Sequence, residues 1–76
     1  MYLYFEHSDG SFTLIGKCES QNEIYQKINE YVRVLNPNYK IYYIREWGDL
    51  DNGGINYDVG SHTEFFHVYR GMLKDA

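Results

Sequence analysis

The sequence predicts an α+β fold: one domain over residues 1–76, with an antiparallel sheet and one helix packed on one face. Three observations predict it. The N-terminus alternates apolar and polar residues with the period of a strand, a single stretch then carries a helical stripe behind a capping box, and strand-period segments return after the one proline. The order ββαββ(β) makes a helix on an antiparallel sheet the natural two-layer arrangement.

MYLYFEH (1–7) alternates as a strand, with Leu3, Phe5 and His7 on one side and Tyr2, Tyr4 and Glu6 on the other. Ser8-Asp9-Gly10 supplies turn chemistry, and SFTLIGKCE (11–19) alternates again, so the two segments form a hairpin. Ser20 opens S-Q-N-E, a capping box with Glu23 at N3. Behind it Ile24, Ile28, Tyr31, Val32 and Leu35 make one apolar stripe, and Gln26, Lys27, Asn29, Glu30 and Arg33 make the wet side. Asn36-Pro37-Asn38 ends the helix, because the residue before a proline is pushed out of helical conformation. About fifteen helical residues span ~22 Å. Seven-residue strands reach ~23 Å, so one helix can lie along one sheet face.

YKIYYIREW (39–47) is apolar on both alternation sets, which predicts a central strand covered on both faces. GDLDNGG (48–54) is a loop, INYDVG (55–60) a short strand and TEFFHVYR (63–70) the last strand. Residues 71–76 read as a frayed tail. One helix covers one face of this sheet. Whichever set meets the helix, an aromatic set remains on the other face, and monomers rarely leave such a patch unused.

Composition limits the alternatives. A 76-residue chain sits near the size where one core barely suffices, and its single cysteine, Cys18, cannot form an intrachain disulfide. Nine tyrosines, four phenylalanines and a tryptophan must supply much of the burial, and tyrosine suits half-wet interface positions. Seven basic against eleven acidic side chains give a net charge of −4, which disfavours a phosphate backbone and fits a basic protein partner. No apolar window is long enough for a membrane span, and MYLYFEHSDG lacks the basic and apolar regions of a secretory signal, so a cytoplasmic setting is expected.

DVGSHTEFF (58–66) gathers Asp58, Ser61, His62 and Glu64, the side-chain types of a hydrolase. In an extended chain Ser61 and His62 diverge, whereas His62 and Glu64 share a face; no nucleophile elbow accompanies them. A polar turn bent at Gly60 is the plainer reading. His7, His62, His67 and Cys18 lack the spacing of zinc ligands. Asp49, Asp51 and Gly54 match the start of a calcium loop, but Gly60 stands where its closing glutamate belongs. Neither metal nor cofactor is therefore expected. Stacking of single-stranded nucleic acid on the aromatic residues stays a further alternative, weakened by the acidic charge and the absence of an RNP-like segment.

YKIYYIREW followed by YDVGSHTEFFHVY resembles a pattern in small uncharacterised proteins of phages and prophages of Gram-positive bacteria, in which an aromatic strand precedes a D-x-G-S-H-T-E-F-F-like segment near the C-terminus. The similarity covers residues 39–69 and is carried by Asp58, Gly60, Ser61, His62, Thr63, Glu64, Phe65 and Phe66. It implies a phage or prophage origin and a bacterial cytoplasm, and it carries no catalytic residue with it. Accessory roles such as binding a host protein follow from it.

The expectation is a non-enzymatic binding module that self-associates as a homodimer or binds a protein partner through its aromatic sheet face or an edge strand. Tyr2, Tyr4, Tyr43, Phe65, His67 and Tyr69 are the expected interface, with Trp47 at its rim and Asp49, Asp51 and Asp58 adding acidic charge. The alternative is a small hydrolytic or ligand-binding protein centred on His62 and Glu64.

Overall fold

The computed structural model describes residues 1–60 and 65–73. Among these, β1 (Tyr2–Glu6), β2 (Phe12–Lys17), α1 (Gln21–Leu35), β3 (Arg45–Asp49), β4 (Gly54–Asp58) and β5 (Phe65–Tyr69) follow in sequence. The strands form one sheet in the order β2-β1-β5-β4-β3, with every neighbouring pair antiparallel. The last strand thus inserts between the N-terminal hairpin and the β3–β4 hairpin, and joins the two ends of the chain at the centre of the sheet. The predicted α+β class and element order are observed.

The helix starts where its capping chemistry places it. The Ser20 hydroxyl accepts from the Glu23 N–H at 3.3 Å, and the Glu23 carboxylate reaches back to the Glu19 N–H at 3.2 Å, one residue beyond the usual partner. Asn36 leaves helical conformation ahead of Pro37, and its N–H closes the last turn on the Val32 carbonyl at 2.8 Å. Ile24, Ile28 and Val32 are the buried stripe of the helix. They meet Leu3 and Phe5 from β1, Phe66 and Val68 from β5, and Tyr57 from β4 in one core with Cys18 and Val59. Full burial of such side chains contributes about 1.5–3 kcal/mol each. The β1 set that contains Leu3 and Phe5 therefore faces the helix, and the set that contains Tyr2, Tyr4 and Glu6 faces away.

Two departures from the expected elements matter for the site. Residues 39–44 are not in a strand, and β3 begins at Arg45 and forms an edge, with all five of its residues exposed. The Ile and Tyr residues on both alternation sets of YKIYYI belong to a non-strand segment along the rim of the core. Tyr39, Ile41 and Ile44 pack on the core, Tyr42 and Tyr43 are exposed, and the Tyr39 hydroxyl donates to the Val59 carbonyl at 2.6 Å. In β2, Ile15 is an extra residue between the Leu3–Gly16 and Tyr4–Leu14 pairs, a bulge that a strict period-two reading does not contain.

Candidate functional site: the helix-free sheet face

Register and alternation place three rows of side chains across the face opposite the helix. The middle row runs Leu14, Tyr4, His67, Asn56, Trp47 from β2 to β3. A second row runs Phe12, Glu6, Phe65, Asp58, Arg45, and a third begins Lys17, Tyr2, Tyr69. The β2–β1–β5 half of this face is mainly aromatic, and the β4–β3 half is polar apart from Trp47.

The aromatic half is a packed layer. The Phe12 ring stacks on the His67 imidazole with centroids 4.9 Å apart and planes 6° from parallel. Tyr69 lies beside both, and its ring meets Tyr4 edge-on at 5.7 Å. The interface residues expected from sequence divide accordingly. Tyr2, Phe65, His67 and Tyr69 share the face and are half-buried. Tyr4 lies on the same face but is 1% exposed, beneath Phe12 and Tyr69, and its hydroxyl accepts from the Leu73 N–H at 2.8 Å. Tyr4 is thus the floor of this layer, and residue 73 of the expected frayed tail is tied to it. Trp47 is exposed at the far end of the middle row, with the Arg45 guanidinium 5.3 Å from its ring. Tyr43 belongs to no row and lies beside the Gly60 turn.

His67 forms the junction between the two halves. Its Nε2 lies 2.6 Å from Glu6 Oε1, and its Nδ1 lies 2.7 Å from Asn56 Oδ1. The Asn56 amide nitrogen donates to the Trp47 carbonyl at 3.3 Å, which fixes its oxygen toward the ring. Oxygens from Glu6 and Asn56 thus flank the imidazole on both nitrogens, and Phe12 covers one side of the ring.

Of the polar constellation in DVGSHTEFF, Ser61, His62 and Glu64 lie outside the described residues. Asp58 is buried and fully occupied. Its Oδ2 accepts from Arg45 Nη2 at 2.7 Å, and its Oδ1 accepts from the Gly60 N–H at 2.6 Å. Gly60 has φ +88, and a Cβ there would come within 3.0 Å of the Tyr39 hydroxyl. Asp58 and Gly60 therefore build a side-chain-to-backbone turn. Of the other candidate ligands, Cys18 is buried, and burial pushes its thiol up, which lowers its reactivity. His7 is held by Thr13 at 2.6 Å, and Asp51 pairs with Arg70 at 2.7 Å. Among the described residues no group of three or more His, Cys, Asp or Glu converges as metal ligands.

Phe12, Leu14, Glu6 and Asn56 are site residues that sequence reading did not single out. Phe12 and Leu14 alternate together, so a shared face was legible, but the packing of Phe12 on His67 and Tyr69 depends on β5 inserting beside β1. Among the described residues no helix is long and apolar enough to cross a membrane. No protein-family model, curated protein or solved structure matches the chain.

Proposed function

We propose that this chain is a non-enzymatic binding module, encoded by a phage or prophage and working in the cytoplasm of its host, whose helix-free sheet face binds protein. One observation carries the reading: Tyr2, Phe12, Phe65, His67 and Tyr69 are arrayed across three adjacent strands with no helix or strand over them among the described residues, where the C-terminal segment reaches the Tyr4 hydroxyl through Leu73. Half-buried aromatic rings held rigid by their neighbours lose little freedom when a partner covers them, and rings of this kind dominate protein interfaces. The occupant is a second copy or a host protein. The resemblance of residues 39–69 to small phage proteins supports the origin, and the net charge of −4 favours a basic partner surface.

Light scattering across a wide concentration range, together with capture from a Gram-positive host lysate, tests the reading on the wild type and on Tyr2→Ala/Tyr69→Ala. Association that weakens in the variant while its circular dichroism matches the wild type supports it. A chain that is monomeric at every concentration and retains no lysate protein in a variant-sensitive way overturns it.

A further inference from the structure

The two edges of the sheet are unequal. Edge strand β3 reads Arg-Glu-Trp-Gly-Asp, three of its five residues charged and Gly48 at φ +101, which are devices that discourage another strand from adding. Edge strand β2 reads Phe-Thr-Leu-Ile-Gly-Lys, uncharged until its last residue, and Leu14 is 39% exposed. Its Ile15 bulge leaves Phe12, Thr13 and Leu14 as a regular stretch.

Hydrogen-bond polarity along β2 follows from the hairpin. The His7 N–H donates to the Ser11 carbonyl at 2.8 Å, so His7 and Ser11 are a hydrogen-bonded pair. Antiparallel pairs alternate, which makes Phe5–Thr13 hydrogen-bonded and turns the backbone groups of Phe12 and Leu14 outward, away from β1. Outward residues two apart can pair with the same residues of an identical strand running the other way. Phe12 then faces Leu14 of the second copy, Leu14 faces its Phe12, and Thr13 meets Thr13 on the two-fold axis.

We infer that two copies of this chain pair antiparallel along β2, centred on Thr13, into one continuous sheet with both helices on one face and both aromatic layers on the other. This deepens the reading of the chain as a binding module and rests on it, naming a second copy as occupant of the β2 edge. Charge favours this pairing. β2 begins beside Asp9 and ends at Lys17, so antiparallel pairing sets the acidic end of each strand beside the basic end of the other. Hydrogen bonds from the Ser11 hydroxyl and N–H hold the Asp9 carboxyl below its ordinary range and keep it ionised. The contact of Lys17 within its own chain, Glu19 at 3.6 Å, is exposed and weak. On the helix side, Ile15, Tyr31 and Val34 line a groove above β2 together with Lys27 and Glu30. Val34 is 80% exposed, and the two-fold brings this groove beside its equivalent.

Cysteine crosslinking tests the axis directly. In a Cys18→Ala background, Thr13→Cys places two thiols across a non-hydrogen-bonded pair, where Cα atoms lie about 4.5 Å apart and a disulfide can form. Mild oxidation should convert most Thr13→Cys chains to a covalent dimer and leave Arg45→Cys, on the opposite edge, monomeric. Leu14→Pro removes an outward N–H that β1 does not use, so it should halve the mass measured by light scattering while circular dichroism stays unchanged. If that variant misfolds, Leu14→Lys, which sets a charge on the paired edge, should give the same halving. A wild type that is monomeric throughout overturns the edge pairing yet leaves a separate protein on the aromatic face standing. A dimer lost in Tyr2→Ala/Tyr69→Ala but retained in the Leu14 variants would be face-to-face, and also overturns it. Equal crosslinking of the two cysteine variants does the same.

Discussion

Glu6 and His67 are 61 residues apart in sequence and meet at 2.6 Å across the β1–β5 boundary, the seam that joins the N-terminal hairpin to the last strand. The pair stands diagonally between rows, because Glu6 is opposite Phe65 and His67 is opposite Tyr4. Phe12 from β2 stacks on the same imidazole, and Asn56 from β4 holds its other nitrogen. Side chains from three strands thus converge on one residue of a fourth, and the open face is ordered around it.

A double-mutant cycle of Glu6→Gln and His67→Phe should therefore show coupling of about 1 kcal/mol in urea unfolding. The imidazole is largely buried, but Glu6 keeps 35% of its side chain in water, which tempers the charge contribution. Phenylalanine preserves the stack on Phe12 and removes both ring hydrogen bonds. Additive losses would mean that the two side chains do not support each other.

Gly53 and Gly54 share a φ of +95 but differ in surroundings. A Cβ at Gly53 would meet nothing within 4 Å, whereas one at Gly54 would come within 2.7 Å of the Val68 carbonyl and 2.8 Å of the Tyr69 ring. Gly53→Ala should cost about 1 kcal/mol for the left-handed backbone alone. Gly54→Ala adds displacement of β5 backbone and should cost roughly 2–4 kcal/mol in the same denaturant titration. Similar midpoints for the two variants would show that Tyr69 does not lie over Gly54.

The contrast between these two glycines shows where sequence reading stops. The turn at Asn52-Gly53 was legible from residue types alone, although Gly54 already belongs to β4, and so was the helix, whose cap and stripe are local in the chain. The N-terminal hairpin was legible for the same reason. The partners of β5 were not, because strand order at the sheet centre is set by contacts between the two ends of the chain. That gap hid which rings form the open layer, and it hid the burial of Tyr4, which depends on Phe12, Tyr69 and Leu73. Residues 39–44 misled in another way. Isoleucine and tyrosine fall on both alternation sets there as they would in a two-faced strand, yet a rim segment that half-buries Ile41 and Ile44 and wets Tyr42 and Tyr43 gives the same pattern.

Tyr57 should govern part of the alkaline stability. Burial first, then the hydrogen bond to Glu46 at 3.0 Å and the charge of that carboxylate, push its phenol far above the ordinary 10.0. Above pH 10 the unfolded chain releases this proton and the folded chain keeps it. The folded state then binds more protons, so stability that is fully present below pH 10 falls as pH rises. Tyr57→Phe should cost about 1 kcal/mol at neutral pH for the lost hydrogen bond. It should also flatten the fall above pH 10 by up to about 1.4 kcal/mol per pH unit. Tyr25 and Tyr69, also pushed up chiefly by burial, keep some slope in the variant. Parallel pH profiles for wild type and variant would show that Tyr57 titrates alike in both states.

Asp58 distinguishes a turn from a catalytic acid. Its two oxygens serve Arg45 and the Gly60 N–H, and Gly60 lies beneath Tyr39 and Tyr43. Asp58→Asn keeps an acceptor for Gly60 and loses the charge opposite Arg45, which is itself largely exposed, so it should cost about 1 kcal/mol. Asp58→Ala strips both contacts and leaves the Gly60 N–H without its partner, and about 2–3 kcal/mol is expected. The graded loss, read from urea midpoints, is what a structural carboxylate gives, because its oxygens matter in proportion to the bonds they accept. An acid that orients a catalytic histidine behaves in the opposite way, since it can be removed with little loss of stability while turnover of a model ester collapses. Unchanged midpoints in both variants, accompanied by loss of such turnover, would move Asp58 from the turn to a hydrolytic site.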